Sequence, residues 1–290
     1  MPRFRRLAAE VADKEAKNGA IMVTQVGSTL RPKEMFYDSD LDIVAVYPGI
    51  LPAGASRFEY KFNQKHKIEV NIIREPLNTF IRKLTDGNPF ETICAQFGQP
   101  IVGKRILDDI PQPKPTFLTA ARWMDNAAYH LSNMMAEYPM VSGTEFYTAA
   151  QKAARSALRA AVLVETKKLV ETNADLVSEL PTDIRDMYLE LLTLRRESEH
   201  YNDTFTSKKV RSIKPTHEGK AFLTAEYLVR YGAKKVLSLN VPTLNAVLKD
   251  KIRTGESYQT AMLDFRDRRL IVLLRSKDGT SLRDVTIHLY

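Results

Sequence analysis

Cysteine, long apolar runs and clustered histidines are scarce in this sequence of 290 residues. The single cysteine, Cys94, cannot form an internal disulfide, and its apolar neighbours are typical of a buried thiol in a reducing compartment. A run of about eighteen apolar residues is absent, which excludes a membrane-spanning helix. The basic start of the chain leads into a charged segment, which argues against a secretory signal. The histidines lack the spacing of zinc ligands. We therefore expect a cytoplasmic protein with no membrane partner.

Positive charge exceeds negative charge, since 43 Lys and Arg against 35 Asp and Glu give a formal net charge of +8. Such an excess concentrates polyanions near a protein and favours nucleotides and nucleic acids as partners. The basic residues are dispersed, however, and no block of them is long enough to act as a nucleic-acid-binding tail.

The first 112 residues have a mixed pattern of strands and short helices. Strands are predicted at Ile21–Val26, Leu41–Tyr47, Arg57–Phe62, Lys67–Ile73 and Gln99–Val102, and helices at 4–18, Pro76–Thr85 and Pro89–Gln96. The segment Asn63–His66 is a plausible hairpin turn. Three prolines, Pro111, Pro113 and Pro115, then interrupt any regular element and indicate a linker.

The rest of the chain, residues 113–290, is mainly helical. Four long helices rich in Ala and Leu are predicted at Thr116–Tyr138, Thr144–Thr172, Thr182–His200 and Thr216–Leu237, and a shorter one at Leu239–Asp250. Their spacing is typical of an antiparallel bundle. The tail predicts a β-hairpin of Leu270–Arg275 and Val285–Tyr290 around an Asp-Gly turn. The fold class is therefore α+β, with domains at 1–112 and 113–290.

Three carboxylates on or next to predicted strands are candidates for binding a divalent cation. Asp40 and Asp42 are two residues apart, so alternation places both on one strand face, where their like charges repel. A divalent cation offsets such repulsion, and oxygen ligands suit magnesium. Glu69 lies between apolar neighbours in a later strand, where it needs a partner of opposite charge. Gly27-Ser28 ends the preceding strand with a backbone that can approach a phosphate.

The combination of Gly27-Ser28, the Asp40-Leu41-Asp42 run and the distant Glu69 resembles the DNA-polymerase-β-type nucleotidyltransferase superfamily. The resemblance covers about residues 20–110 and includes the Gly98–Val102 run that is similar to the end of stand-alone domains of this kind. It implies a small mixed-sheet catalytic domain that binds ATP or another NTP. The spacer between the two motifs departs from the pattern, because it lacks glycine and contains Pro32 and Phe36-Tyr37.

The resemblance also implies a role for each residue of the motif. Asp40, Asp42 and Glu69 would ligate two magnesium ions, and Glu69 would help to deprotonate the acceptor hydroxyl. Gly27 and Ser28 would bind the β- and γ-phosphates. Additional phosphate contacts are expected from the cations near the motif: Arg31, Lys65 and Lys67.

The acceptor of the nucleotide is open to several interpretations. The basic charge favours RNA, for example a tRNA 3′ end. A small molecule is the alternative, as in aminoglycoside nucleotidyltransferases, which Glu69-Val70-Asn71 followed by a helical half also resembles. A protein hydroxyl, as in nucleotidyltransferase toxins, and a non-catalytic RNA-binding module are further alternatives. The Arg195–His200 run resembles helical HEPN-type domains, some of which cut RNA with an Arg and a His.

Overall fold

The computed structural model describes residues 2–31, 35, 39–103, 108–110, 115–137, 144–203 and 215–290. The chain divides into two compact units, Met1–Thr119 and Ala120–Tyr290. The predicted domain boundary after residue 112 falls within the first of these units. Pro111 and Pro113 of the expected linker, and Pro32 and Phe36-Tyr37 of the motif spacer, lie outside the described residues.

The first unit is built on one mixed sheet. Its strands are β1 (Met22–Val26), β2 (Leu41–Tyr47), β3 (Phe58–Asn63), β4 (Ile68–Pro76) and β5 (Gln99–Val102). Their order across the sheet is β3-β4-β2-β1-β5. β2 and β4 run parallel, and the other neighbouring pairs are antiparallel. The sequence predicted all five strands, and β2 residue for residue.

Three helices cover the two faces of this sheet: α1 (Pro2–Lys17), α2 (Leu77–Thr85) and α3 (Pro89–Phe97). Alternation along β2 sends Ile43 into the apolar layer formed with α1, and Val44 into the layer formed with α2 and α3. Asp42 therefore faces the same side as Val44. Cys94 is fully buried in that second layer, where burial raises the pKa of its thiol.

A buried ion pair joins α1 to β4. Arg74 donates from Nε to Glu15 Oε2 and from Nη2 to Glu15 Oε1, each at 2.7 Å, and also to Glu59 of β3 at 2.5 Å. The Tyr47 hydroxyl donates to Glu15 Oε2 at 2.7 Å. Glu15 is completely buried, so these hydrogen bonds offset the cost of removing its charge from water.

The second unit is mainly helical. Its helices are α4 (Phe117–Glu137, which begins in the first unit), α5 (Thr144–Thr166), α6 (Asn173–Glu179), α7 (Thr182–Asp203), α8 (Pro215–Leu237) and α9 (Leu244–Lys251). α5 packs against α7 and α8. Gly232 allows the close approach of α8, because a Cβ there would lie 2.9 Å from Ala157 of α5. No helix in the described ranges is long and apolar enough to cross a bilayer.

The predicted helix Thr144–Thr172 is shorter in the structure, and a separate helix follows it. α5 ends at Thr166 because Lys167 adopts a positive φ of 59°. The side chain of Thr172 then accepts a hydrogen bond from the Asp175 N–H and begins α6. Thr172 is thus an N-cap and not the end of a long helix.

The C-terminal region is a three-stranded antiparallel sheet, which contains the predicted hairpin and one further strand that was not predicted. Its strands are β6 (Glu256–Asp264), β7 (Arg269–Ser276) and β8 (Leu282–His288), in that order. The hairpin of β7 and β8 is present as predicted, with Gly279 at a φ of 70°. β6 escaped detection because its register shifts between Tyr258 and Thr260, which interrupts the alternation of apolar and polar side chains.

Candidate active site

Asp40 and Asp42 meet at the start of β2, where both accept hydrogen bonds from one amide. Asn71 donates from Nδ2 to Asp40 Oδ2 at 2.8 Å and to Asp42 Oδ1 at 3.3 Å. The parallel pairing of β2 and β4 brings Asn71 there, since it is the direct partner of Asp42. Two carboxylates that share one amide repel each other, and the N–H dipoles offset part of this repulsion.

Gly27 lies against the carboxylate of Asp42. Its φ of 83° and ψ of −169° belong to a region that essentially only glycine adopts. A Cβ built on Gly27 would lie 2.6 Å from Asp42 Oδ2, well inside ordinary contact. Antiparallel pairing of Val26 with Asp42 sets this approach. Glycine is therefore required here both by the backbone conformation and by its neighbour.

The serine of the Gly-Ser turn links that turn to the aspartate strand. Ser28 begins a short 3₁₀ helix, and its hydroxyl donates to the Ser39 hydroxyl at 3.1 Å, directly before Asp40. Arg31 follows the 3₁₀ helix and is half-buried, with its backbone N–H donating to the Ser28 carbonyl at 2.9 Å. Gly27, Ser28 and Arg31 thus form one continuous turn beside the two aspartates.

The predicted lysine contacts differ in their surroundings. Lys67 is exposed at the end of the β3–β4 turn, with a φ of 53°. Lys65 lies in the same turn, but its Nζ is 2.8 Å from Glu10 Oε1 of α1. Lys65 is thus engaged by a helix that covers the face of the sheet opposite to Asp42.

Glu69 lies on β4 two residues before Asn71, on the same strand face, and is exposed. The hydroxyl of Tyr60 on β3 donates a hydrogen bond to the Glu69 carboxylate. This hydrogen bond, partial burial and the negative charges of Glu69 and Asp40 raise the pKa of Tyr60 to about 12. Tyr60 therefore remains a proton donor to Glu69 throughout the physiological pH range.

The donor groups at this site can be compared with the needs of a divalent cation. Among the residues that the structure describes, no three carboxylate, His or Cys side chains converge as a metal-binding group. Asp40 and Asp42 nevertheless supply adjacent oxygen ligands of the kind that magnesium prefers. Glu69 shares their sheet face, but the described residues do not bring it together with the two aspartates as a third ligand. The aspartate pair therefore fits magnesium in its chemistry, and Glu69 does not complete the site in this structure.

Two residues of this site, Asn71 and Tyr60, were not assigned a role from the sequence. Asn71 has the same parity as Glu69 in its strand, and this places both on one face. Tyr60 could have been found from the predicted β3–β4 hairpin, whose turn at Asn63–His66 places Tyr60 opposite Glu69. The observed turn lies one residue later, and it pairs Tyr60 with Asn71 and Phe62 with Glu69. The parallel pairing that sets Asn71 opposite Asp42 has no comparable local signal.

The Arg195–His200 run lies at the end of α7 in the second unit. Arg195 is 6% exposed and donates to Gln151 Oε1 of α5 at 2.8 Å. Gln151 in turn donates to the Tyr188 hydroxyl at 3.1 Å, and that hydroxyl donates to Asn173 Oδ1 at 2.6 Å. Arg195 thus belongs to a buried polar network between helices. The side chain of His200 lies outside the described residues.

Comparisons with known proteins give distant structural similarity only. No protein-family model matches the chain, and no curated protein matches it. The spectinomycin adenyltransferase AAD(9) of Enterococcus faecialis, solved with ATP and spectinomycin, is 14% identical with a TM-score of 0.48, over 76% of this chain and 94% of that chain. A nucleotidyltransferase-like protein of Exiguobacterium sibiricum is 10% identical with a TM-score of 0.29, over 83% of this chain and 78% of that chain.

Proposed function

We propose that this protein transfers a nucleoside monophosphate from an NTP, foremost ATP, to an acceptor hydroxyl with the help of magnesium. The observation that carries the proposal is the pair Asp40 and Asp42, which Asn71 bridges and which approaches Gly27. A glycine turn for phosphate therefore lies next to oxygen ligands for a divalent cation. This proximity comes from three neighbouring strands, β1, β2 and β4.

The proposed reaction is an in-line displacement at the α-phosphorus. The acceptor oxygen forms a bond to that phosphorus, and the bond to the leaving pyrophosphate breaks. Asp40, Asp42 and Glu69 would hold two magnesium ions, which when bound stabilise the attacking and leaving oxygens. Glu69 would accept the proton of the acceptor hydroxyl. Gly27 and Ser28 would bind the β- and γ-phosphates through backbone N–H groups and a hydroxyl.

Arg31 and Lys67 are proposed as further phosphate contacts. Arg31 closes the turn that begins with Gly27, and Lys67 is exposed where β4 begins, two residues before Glu69. A cation at either place would offset the charge of a triphosphate. Lys65 is the weakest candidate, because Glu10 already lies 2.8 Å from its ammonium group.

The net charge of the chain and the side chains around Glu69 favour different acceptors. The net charge of +8 favours RNA. The surroundings of Glu69 instead favour a small cationic molecule, because carboxylates that repel a phosphate backbone lie on the same sheet face as the exposed aromatic side chains of β3: Phe58, Tyr60 and Phe62. We retain RNA as the competing acceptor, and the experiment below separates the two.

The test is to incubate the protein with ATP labelled at the α-phosphate, magnesium, and either total RNA or a panel of aminoglycosides comprising spectinomycin, streptomycin and kanamycin. Label is expected in one acceptor, together with release of pyrophosphate. Chelation of magnesium by EDTA should stop the transfer, and Asp42→Asn should abolish it.

A matched control uses an acid of the same unit that lies away from the site. Asp13→Asn changes an exposed residue of α1 that pairs with Lys17. It should transfer as fast as the wild type. Label in neither acceptor nor in the protein itself, from protein shown to be folded by circular dichroism, would contradict the proposed function. Equal activity of Asp42→Asn and Asp13→Asn would contradict the assignment of the site.

A further inference from the structure

The order of strands places the nucleotide and the acceptor molecule on different sides of the proposed active site. Gly27 and Ser28, the proposed phosphate contacts, follow β1, and Asp42 lies on β2. Glu69, the proposed acceptor of the hydroxyl proton, lies on β4, and β4 and β1 are on opposite sides of β2. If the nucleotide is held at Gly27, the acceptor molecule must approach over β4 and the neighbouring strand, β3.

The outward side chains of β3 form a row of exposed aromatic rings on that side. Phe58 is 62% exposed, Tyr60 62% and Phe62 45%. Successive members are two residues apart, so they share one face and follow one another at about 6.6 Å. Pairing with β4 places this row on the same face as Asn71 and Glu69, since Tyr60 opposes Asn71 and Phe62 opposes Glu69. We call Phe58, Tyr60 and Phe62 the aromatic row.

The charges around the aromatic row favour a cationic ligand over a polyanion. Three cations of the β3–β4 hairpin region are already paired with carboxylates: Arg57 with Glu75 at 2.7 Å, Lys61 with Glu59 at 2.7 Å and Lys65 with Glu10 at 2.8 Å. A fourth, Lys67, is exposed at the start of β4 and is proposed to contact the phosphates. The carboxylates of Glu69 and Asp40 lie beside Tyr60. The guanidinium of Arg57 lies 5.2 Å from the Phe58 ring, so a cation already stacks on one member of the row.

We propose that the aromatic row is the binding site of the acceptor, and that the acceptor is a small molecule carrying a ring and a protonated amine. This inference rests on the proposed function and adds the residues that recognise the second substrate. The rings contact the apolar face of the acceptor, and the amine interacts with aromatic faces and with Glu69. The row spans about 13 Å, which accommodates two or three sugar-sized rings.

Tyr60 has two tasks in this arrangement. Its ring is the middle member of the row, and its hydroxyl donates to Glu69. Because the hydrogen bond fixes the carboxylate next to the ring, the acceptor hydroxyl is positioned at its proposed base when the acceptor stacks. Tyr60 is therefore a positioning residue as well as a contact, and the two tasks can be separated by mutation.

The experiment uses the full-length protein and the aminoglycoside of the panel that is labelled fastest. Phe62→Ala and Phe58→Ala should each raise the acceptor KM about tenfold and leave the KM for ATP within about twofold. Tyr60→Phe should keep the acceptor KM and lower kcat, because the acceptor hydroxyl is no longer held next to Glu69 when the acceptor stacks. Isothermal titration of the same aminoglycoside into metal-free protein provides a binding measurement that does not require catalysis.

Phe117→Ala is the matched control, because Phe117 is an exposed phenylalanine of the same unit at 60% exposure, outside β3. It should change neither KM. Transfer by the wild type with an unchanged acceptor KM in Phe62→Ala and Phe58→Ala overturns the aromatic row while the proposed function stands. Transfer to RNA alone overturns the small-molecule acceptor. Failure of the wild type to bind or transfer ATP overturns the proposed function, and the aromatic row with it.

Discussion

Replacement of Gly27 by alanine is the most direct perturbation of the candidate active site that leaves every polar group in place. The substitution adds one methyl group at a residue with a φ of 83° and a ψ of −169°. That group would lie 2.6 Å from Asp42 Oδ2 and 3.6 Å from Asp42 Cγ. Gly27→Ala therefore combines backbone strain with displacement of a proposed magnesium ligand.

The two effects have different sizes and different measurements. The backbone conformation should lower the free energy of unfolding by about 1–3 kcal/mol. To restore the ordinary contact distance of 3.4 Å from 2.6 Å, Asp42 Oδ2 must move 0.8 Å. A misplacement of about 1 Å at reacting groups lowers the rate by about 100-fold, so we expect a loss of that order in the rate of transfer.

The assay compares Gly27→Ala with Gly54→Ala in urea unfolding and in transfer of labelled nucleotide. Gly54 has a φ of 78°, but nothing lies within 4 Å of the Cβ that a substitution would add. Gly54→Ala should therefore lose about 1–2 kcal/mol of stability and no activity. If Gly27→Ala is destabilised yet transfers as fast as Gly54→Ala, the contact with Asp42 has no catalytic consequence and our reasoning is refuted.

Four further outcomes are expected. Asp42→Asn should abolish transfer without lowering the free energy of unfolding in urea, because it removes repulsion between neighbouring carboxylates. Glu69→Gln should reduce kcat more than ATP affinity, and an unchanged kcat would make it a structural acid. The pKa of Glu59 is held at about 2 by Lys61 and Arg74. Its contribution, about 1–2 kcal/mol after solvent screening, should thus be present above pH 5 and lost towards pH 2. Denaturation of Glu59→Gln should show a loss smaller by this amount, because Glu15 and Glu256 keep their own lowered pKa values. Arg195→Leu should lower the free energy of unfolding in urea by about 1–3 kcal/mol, because it leaves the buried Gln151 Oε1 without its donor.

Local sequence patterns were sufficient to predict the strands that carry the acids. Leu41–Tyr47 is an apolar run rich in β-branched residues that begins directly after Asp40, and the structure has β2 at the same residues. Antiparallel pairing of β3 with β4 also follows from sequence, because a short turn joins the two strands. Phe62 and Glu69 could therefore have been placed on one sheet face in advance, but the predicted turn pairs Phe62 with Lys67, because it lies one residue before the observed turn.

The parallel pairing of β2 with β4 could not be predicted in the same way. These strands are not consecutive in the chain, because β3 comes between them and lies on the outer side of β4 in the sheet. Their register therefore depends on the path of the connecting chain and on the packing of the helices, not on a short turn. The bridge from Asn71 to both aspartates is a consequence of that register. In the second unit, the end of α5 at Lys167 escaped prediction because it has no glycine to mark it.

The net charge of the chain and the charge of its candidate site are separate quantities. The formal charge of +8 is spread over the whole sequence, and Lys61 and Lys65 in the β3–β4 hairpin are each paired with a carboxylate. Exposed charges more than about 10 Å apart are largely screened at physiological salt, so distant cations contribute little at Glu69. The charges that a substrate meets there are those of the acids, of the exposed Lys67 and of any bound magnesium.

Asn71 is one of the groups that allow two like charges to remain adjacent before a cation binds. Its single NH₂ group donates to both Asp40 and Asp42, at 2.8 and 3.3 Å, and carries no charge of its own. A lysine at this position would form a permanent ion pair and compete with magnesium for the same oxygens. A neutral amide offsets part of the repulsion and can be displaced at a lower energetic cost, because hydrogen bonds to neutral donors are weaker than those to cations. The two carboxylates are thus held close together, and a divalent cation can bind them by displacing the hydrogen bonds of the amide.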